Sequence, residues 1–143
     1  AAEAYSVWAL IDLKEHKPVR AGTLKLNYGT DEPPELDLPQ RINMPEDQLF
    51  FLAGERAVSY SLTDENGHLN NAAALDIFCD FIPTINKRRV ISALISFPCS
   101  APYSETLKIY KAEEDETFYF RAKLPDGRKC AEAEIMTEQI RKV

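Results

Sequence analysis

One stretch decides what the rest of this 143-residue chain can be. Between residues 29 and 48, Pro33, Pro34, Pro39 and Pro45 stand among Asp31, Glu32, Glu35, Asp37, Glu46 and Asp47. Proline has no backbone N–H to donate, and its ring forbids a helix interior. Neither a helix nor a central strand can run through these residues. The stretch reads as a linker or long surface connection. It divides the chain into a strand hairpin over residues 1–28 and a compact unit over residues 49–143. The remaining composition, 45% hydrophobic and 28% charged, belongs to a folded chain and excludes wholesale disorder.

Several function classes fall away on chemistry. The net charge of -6 argues against a nucleic-acid partner, which needs clustered Lys and Arg. The one basic run, Lys87-Arg88-Arg89, reads as a solvated loop. No apolar run approaches the roughly 18 residues of a spanning helix. No signal peptide is visible, so a soluble, cytoplasmic protein is expected. Cys79, Cys99 and Cys130 form no C-x-x-C, and His16 and His68 are the only histidines. A structural zinc site is not expected, and the thiols read as reduced, small hydrophobes. The start Ala1-Ala2-Glu3-Ala4, without Met, points to a processed or truncated chain.

In the hairpin, Tyr5, Val7, Ala9 and Ile11 alternate with Ser6, Trp8, Leu10 and Asp12. That predicts a strand over Tyr5–Leu13 with both faces covered. Lys14–Lys17, with a solvated His16, is read as the turn, and Val19–Leu26 as the returning strand. The compact unit is expected to open with a strand over Ala57–Leu62. Turn formers follow, Asn70 or Asn71 serves as an N-cap, and a helix runs over Ala72–Ile82. Leu75, Phe78, Cys79 and Ile82 fall at helical spacing and predict the buried stripe, with Cys79 as core rather than nucleophile. Pro83 ends the helix. Strands are then expected over Val90–Phe97, Thr106–Lys111, Thr117–Leu124 and Lys129–Thr137, with Val90–Phe97 central because it is the most apolar. The class is α+β, an antiparallel sheet packed on one helix.

The loop before the helix gathers chemistry. Asp64-Glu65-Asn66-Gly67-His68-Leu69-Asn70-Asn71 holds a carboxylate, a carboxamide, an imidazole and a helix N-terminus within eight positions. Imidazole is the one side chain type there whose unperturbed pKa lies near neutrality, so His68 suits a general base toward water. Asn66 can orient that water. The first helical amides, near Asn71, Ala72 and Ala73, can bind an oxyanion. Gly67 permits a tight turn or the close approach of a ligand. The same residues equally suit a plain strand-to-helix loop with an Asn cap, a turn glycine and an exposed histidine.

The pattern Asp64-x-Asn66-Gly67-His68-x-Asn70-Asn71 before a helix resembles the D-x-N-x-H-x-N-N signature of acyl-ACP thioesterases, enzymes of the hotdog fold. The run Ser6-Val7-Trp8-Ala9-Leu10-Ile11-Asp12, followed by Lys17-Pro18-Val19-Arg20, is similar to the end of that family's N-terminal hotdog. The resemblance implies a hotdog fold, a helix wrapped by an antiparallel sheet. It implies hydrolysis of the thioester between a fatty acyl chain and acyl carrier protein. Asp64, Asn66 and His68 take the positions of the family's catalytic Asp, Asn and His. No metal or diffusible cofactor is implied, since the phosphopantetheine arrives on the substrate. The family carries two hotdogs in one chain, so a homodimer or a missing N-terminal hotdog is expected.

One departure stands out. The family places a glutamate three residues past an aromatic on the strand after the helix; counted from Phe97, that position is Ser100. Glu105 lies roughly 16 Å further along an extended strand and on the opposite face. Either Asp64 serves as the carboxylate, or the chain is a non-hydrolytic relative that binds acyl chains or pairs with a complete thioesterase. An acyl-CoA thioesterase is the other enzyme reading. A dehydratase fits less well, because dehydratases lack the Asn-x-His-x-Asn-Asn pattern.

Overall fold

A computed structural model describes residues 4, 6–8, 10–12, 14, 15, 17–20, 22 and 41–140. The expectations for Tyr5, Ala9, Leu13, His16 and residues 23–40 lie outside the described residues. The chain divides into two units, residues 1–38 and residues 39–143. In the first, β1 (Leu10–Ile11) pairs antiparallel with β2 (Pro18–Val19). The Asp12 carboxylate accepts the N–H groups of Lys14 and Glu15 and closes the turn between them. Val7 and Trp8 stand 85% and 73% exposed, so the expected cover on both strand faces is not there among the described residues.

Among the described residues, the second unit holds one five-stranded antiparallel sheet and one α-helix. Its elements are β3 (Phe51–Ala57), α1 (Asn71–Asp80), β4 (Arg88–Ser96), β5 (Thr106–Glu114), β6 (Thr117–Lys123) and β7 (Lys129–Gln139). The spatial order is β3-β5-β6-β7-β4. The last three strands form a meander through tight turns at Asp115-Glu116 and Pro125-Asp126-Gly127. Their alternation is clean. Leu107 and Ile109 of β5, Phe118, Phe120 and Ala122 of β6, and Ala131, Ala133 and Ile135 of β7 are all buried on one face. Helix α1 lies across that face, with Phe78 stacked on Phe120 at 5.0 Å between ring centroids.

Three expectations are corrected here. The opening strand is Phe51–Ala57, and Tyr60–Leu62 is a 3-10 turn. The run Ala57–Leu62 had the composition of a strand, but β5 ends its ladder opposite Ala57, and residues 59–61 meet no neighbouring strand. The helix buries Ala74, Ile77 and Phe78. Leu75 and Cys79 are half-buried, so the stripe is rotated by about one position. The most apolar strand, β4, is not central but an edge, paired only to β7. Its ladder slips between Val90 and Ser92, and Val90 and Ile91 are exposed. Hydrophobicity alone does not rank strands by depth, and an apolar edge leaves an unpaired backbone open to another strand.

The far end of the helix is closed by packing. A Cβ added at Gly54 would stand 2.7 Å from the Phe81 ring, so glycine is what lets the helix end lie against β3. Buried Lys111 donates to the Phe81 carbonyl at 3.3 Å, placing a cation at the negative end of the helix. Glu113 lies 3.3 Å from the same ammonium. On the outer sheet face, the Arg121 guanidinium sits 3.9 Å from the Phe50 ring centroid and pairs with Asp47 and Glu132.

Candidate active site

The opposite end of the helix is built differently. Asp64 O accepts the Gly67 N–H at 3.1 Å, and Asp64 N–H donates to His68 O at 2.8 Å. With Gly67 at φ +72°, this is a turn closed by a bulge, a conformation that needs the glycine. Nothing lies within 4 Å of a Cβ built at Gly67, so of its two expected uses the structure supports the turn. The turn sends the chain back antiparallel, with Thr63 opposite Leu69. Asn70 then caps α1, its side-chain oxygen accepting the Ala72 N–H at 2.8 Å.

A second segment, between β4 and β5, packs beside this loop. Leu69 N–H donates to Ala101 O and Tyr103 N–H to Gly67 O, both at 2.8 Å. These bonds bracket the pair His68–Pro102. A cavity of about 220 Å3 opens between the two segments and the start of β7. Asp64, His68, Asn71, Phe97, Cys99 and Ser100 are among the residues lining it, with Leu69, Ala101 and Cys130 beneath. The wall is thus apolar at depth and polar at the rim, the usual make-up of a small-molecule site.

The expected site residues separate. Asp64, His68, Asn71 and Ser100 come together in the wall. Asn66 does not line it; the residue is exposed on the outer side of the turn. The Ala72 amide is also withdrawn, because its N–H is held by the Asn70 cap. The N–H groups of Asn71 and Ala73 find no acceptor among the described residues, as expected in a first helical turn. Glu105 does not reach the cavity. The chain turns after Phe97 rather than running straight, and Glu105 N–H bonds Pro102 O at 3.3 Å.

Electrostatics sharpen the roles. The backbone N–H of His68 and, less strongly, of Asn66 donate to the Asp64 carboxylate at 3.1 and 2.9 Å. They hold its pKa below the ordinary carboxylate value, against partial desolvation. Asp64 is therefore a stable anion that braces the loop. Burial pushes the Cys130 thiol up to about 11, so it stays protonated and inert at neutral pH. Cys99 Sγ–H points at the Lys129 carbonyl, 3.3 Å away. Sequence reasoning missed Phe97, Cys99 and Cys130 as wall residues. The odd cysteine count carried no spacing signal that could have placed them. Among the described residues no group of His, Cys, Asp and Glu is arranged to hold a metal ion, and no helix is long and apolar enough to cross a membrane.

No protein-family model matches the chain, and no curated protein does. Solved structures do. An acyl-ACP thioesterase from Bacteroides thetaiotaomicron superposes with a TM-score of 0.73 at 21% identity, over 90% of this chain and 53% of that one. The chain thus spans about half the length of that enzyme. A Staphylococcus aureus protein solved in complex with CoA gives 0.55 at 14% identity, over 64% of this chain and 75% of that one. A DHNA-CoA thioesterase from the same organism gives 0.53 at 12%, again over 64% and 75%. At these identities the likeness is one of fold. The sheet order, the single helix lying across it and these superpositions agree that the chain has the hotdog fold found in thioesterases.

Proposed function

We propose that this protein hydrolyses the thioester of a fatty acyl chain carried by acyl carrier protein. The observation that supports it best is the meeting of His68 with Asp64 and the unpaired amide of Asn71 at the polar rim of one cavity whose floor is apolar. An acyl thioester presents an apolar tail and a carbonyl at one end, and the cavity offers the matching order. His68 takes the proton of the attacking water. The Asn71 and Ala73 amides, at the positive end of the helix, stabilise the oxyanion. The C–S bond then breaks, and the pantetheine thiol leaves with a proton. Asp64 holds the loop that carries His68. No metal or diffusible cofactor enters this scheme.

The carrier-protein assignment draws on the Bacteroides likeness, whose counterpart is named an acyl-ACP thioesterase. The likeness to a CoA-bound protein favours acyl-CoA as a second reading. We further propose that β4, with its exposed Val90 and Ile91, pairs with a second hotdog unit. Thiol release from acyl-ACP and acyl-CoA, measured side by side with His68→Ala, tests the first claim; equal rates for parent and variant would remove it. Light scattering after size exclusion tests the second, and a stable monomer would count against pairing.

A further inference from the structure

The hydrolysis above leaves the one hydroxyl of the cavity wall without a task. Ser100 is exposed and lines the cavity together with His68 and Asp64. Its direction follows from the ladder. Leu69 and Ala101, joined by the 2.8 Å bond between their backbones, are both buried. Alternate residues of paired segments face opposite ways, so His68 on one segment and Ser100 and Pro102 on the other face the rim together. His68 stands directly across from Pro102, in the closer, non-hydrogen-bonded kind of pair. Ser100, two residues away, is its diagonal neighbour, at about 7 Å between Cβ atoms. That separation lets a hydroxyl and an imidazole meet tip to tip.

From this juxtaposition we infer that Ser100 is a nucleophile activated by His68, and that hydrolysis passes through an acyl ester on Ser100. The inference rests on the thioesterase reading and divides its reaction into two steps. In the first, His68 takes the Ser100 hydroxyl proton as Oγ bonds to the thioester carbonyl carbon. The C–S bond breaks, and the departing sulfur takes the proton from the imidazolium. In the second, His68 takes a proton from water as the water oxygen bonds to the same carbon. The C–Oγ bond breaks, and Ser100 recovers its proton. One water is consumed, and one acid and one thiol are released. The Asn71 and Ala73 amides serve both oxyanions. The two thiols of the wall do not compete. Cys99 points its S–H at the Lys129 carbonyl, and Cys130 is buried beside the Ala122 carbonyl.

Two probes test this on the intact protein. In the first, decanoyl-CoA and decanoyl-ACP are mixed with enzyme and quenched in acid during turnover. In the second, a fluorophosphonate reads serine activation without any thioester. The expected result is one added decanoyl group on the peptide holding Ser100, and fluorophosphonate label on the same residue. Ser100→Ala should lose both marks and slow turnover by at least about a thousandfold, with unchanged melting. Ser100→Cys should regain an acyl adduct, now as a thioester that hydroxylamine cleaves at neutral pH. Hydrolysis at the parental rate by Ser100→Ala, or turnover with neither mark on Ser100, overturns the inference and leaves the thioesterase reading standing. Labelled Ser100 without thioester hydrolysis upholds the activated serine and removes the thioester as substrate. Neither label nor hydrolysis overturns both.

Discussion

The two ends of one ten-residue helix are finished in opposite ways. At the C-terminal end the last carbonyl and the last ring are both held. Phe81 fits over Gly54, Lys111 holds the Phe81 carbonyl, and Pro83 prevents continuation. At the N-terminal end Asn70 satisfies one amide, those of Asn71 and Ala73 stay unpaired, and Asn71 lines a cavity. A helix presents the same four spare groups at each end. The fold spends packing on one end and withholds it from the other.

This contrast can be broken from either side. The largest effect is expected from His68→Ala, which should lower thioester hydrolysis by about 10^2 to 10^4-fold while leaving the melting temperature unchanged. Steady-state thiol release and thermal unfolding check the two halves of that statement. Gly54→Ala attacks the closed end. The new methyl meets the Phe81 ring and should cost about 1–3 kcal/mol of stability in denaturant titration. Turnover per folded molecule should be retained. Asn70→Ala should do both jobs at once, costing about 1 kcal/mol and raising KM as the helix start loosens.

The smallest effect is one of pH. Asp64 has a lowered folded pKa, so its contribution is present above the unfolded carboxylate value and is lost as pH falls through the folded one. Asp64→Asn should remove that contribution at neutral pH and so flatten the acid limb of the stability curve, read by denaturant titration across pH. Cys130 works in the other direction. Its raised pKa means stability is full below the unfolded thiol value and declines toward about pH 11.

Much of this was legible in residue order, and the remainder had definite causes. The meander β5-β6-β7 showed itself because period-two alternation is local, and Pro125-Asp126-Gly127 is a turn in any context. The helix cap showed itself to within one residue, as Asn70 or Asn71, for the same reason. The position of β4 did not, because an edge strand awaiting a partner carries the same apolar composition as a central one. Nor did Phe51–Ala57, which pairs with a strand about fifty residues later and is interrupted by a bulge and a glycine. At the site, the spacing of Asp64 and His68 survived folding. Asn66 left the wall because the turn that Gly67 permits points it outward. The burial of Lys111 had no sequence signal, since the partner that draws it inward is the Phe81 carbonyl and Glu113, its other partner, is itself exposed.

The strand order carries one further consequence, for the sequence of events in folding. The meander closes through turns of a few residues, whereas β3 and β4 must be brought to its two edges across long separations. The cavity is lined from Asp64–Asn71, which follows β3, from Phe97–Ala101, which follows β4, and from Cys130 at the start of β7. It does not exist until both edges have docked. The site is thus assembled by the slowest contacts in the chain, so a half-folded molecule can hold most of its core and still have nowhere to place a substrate.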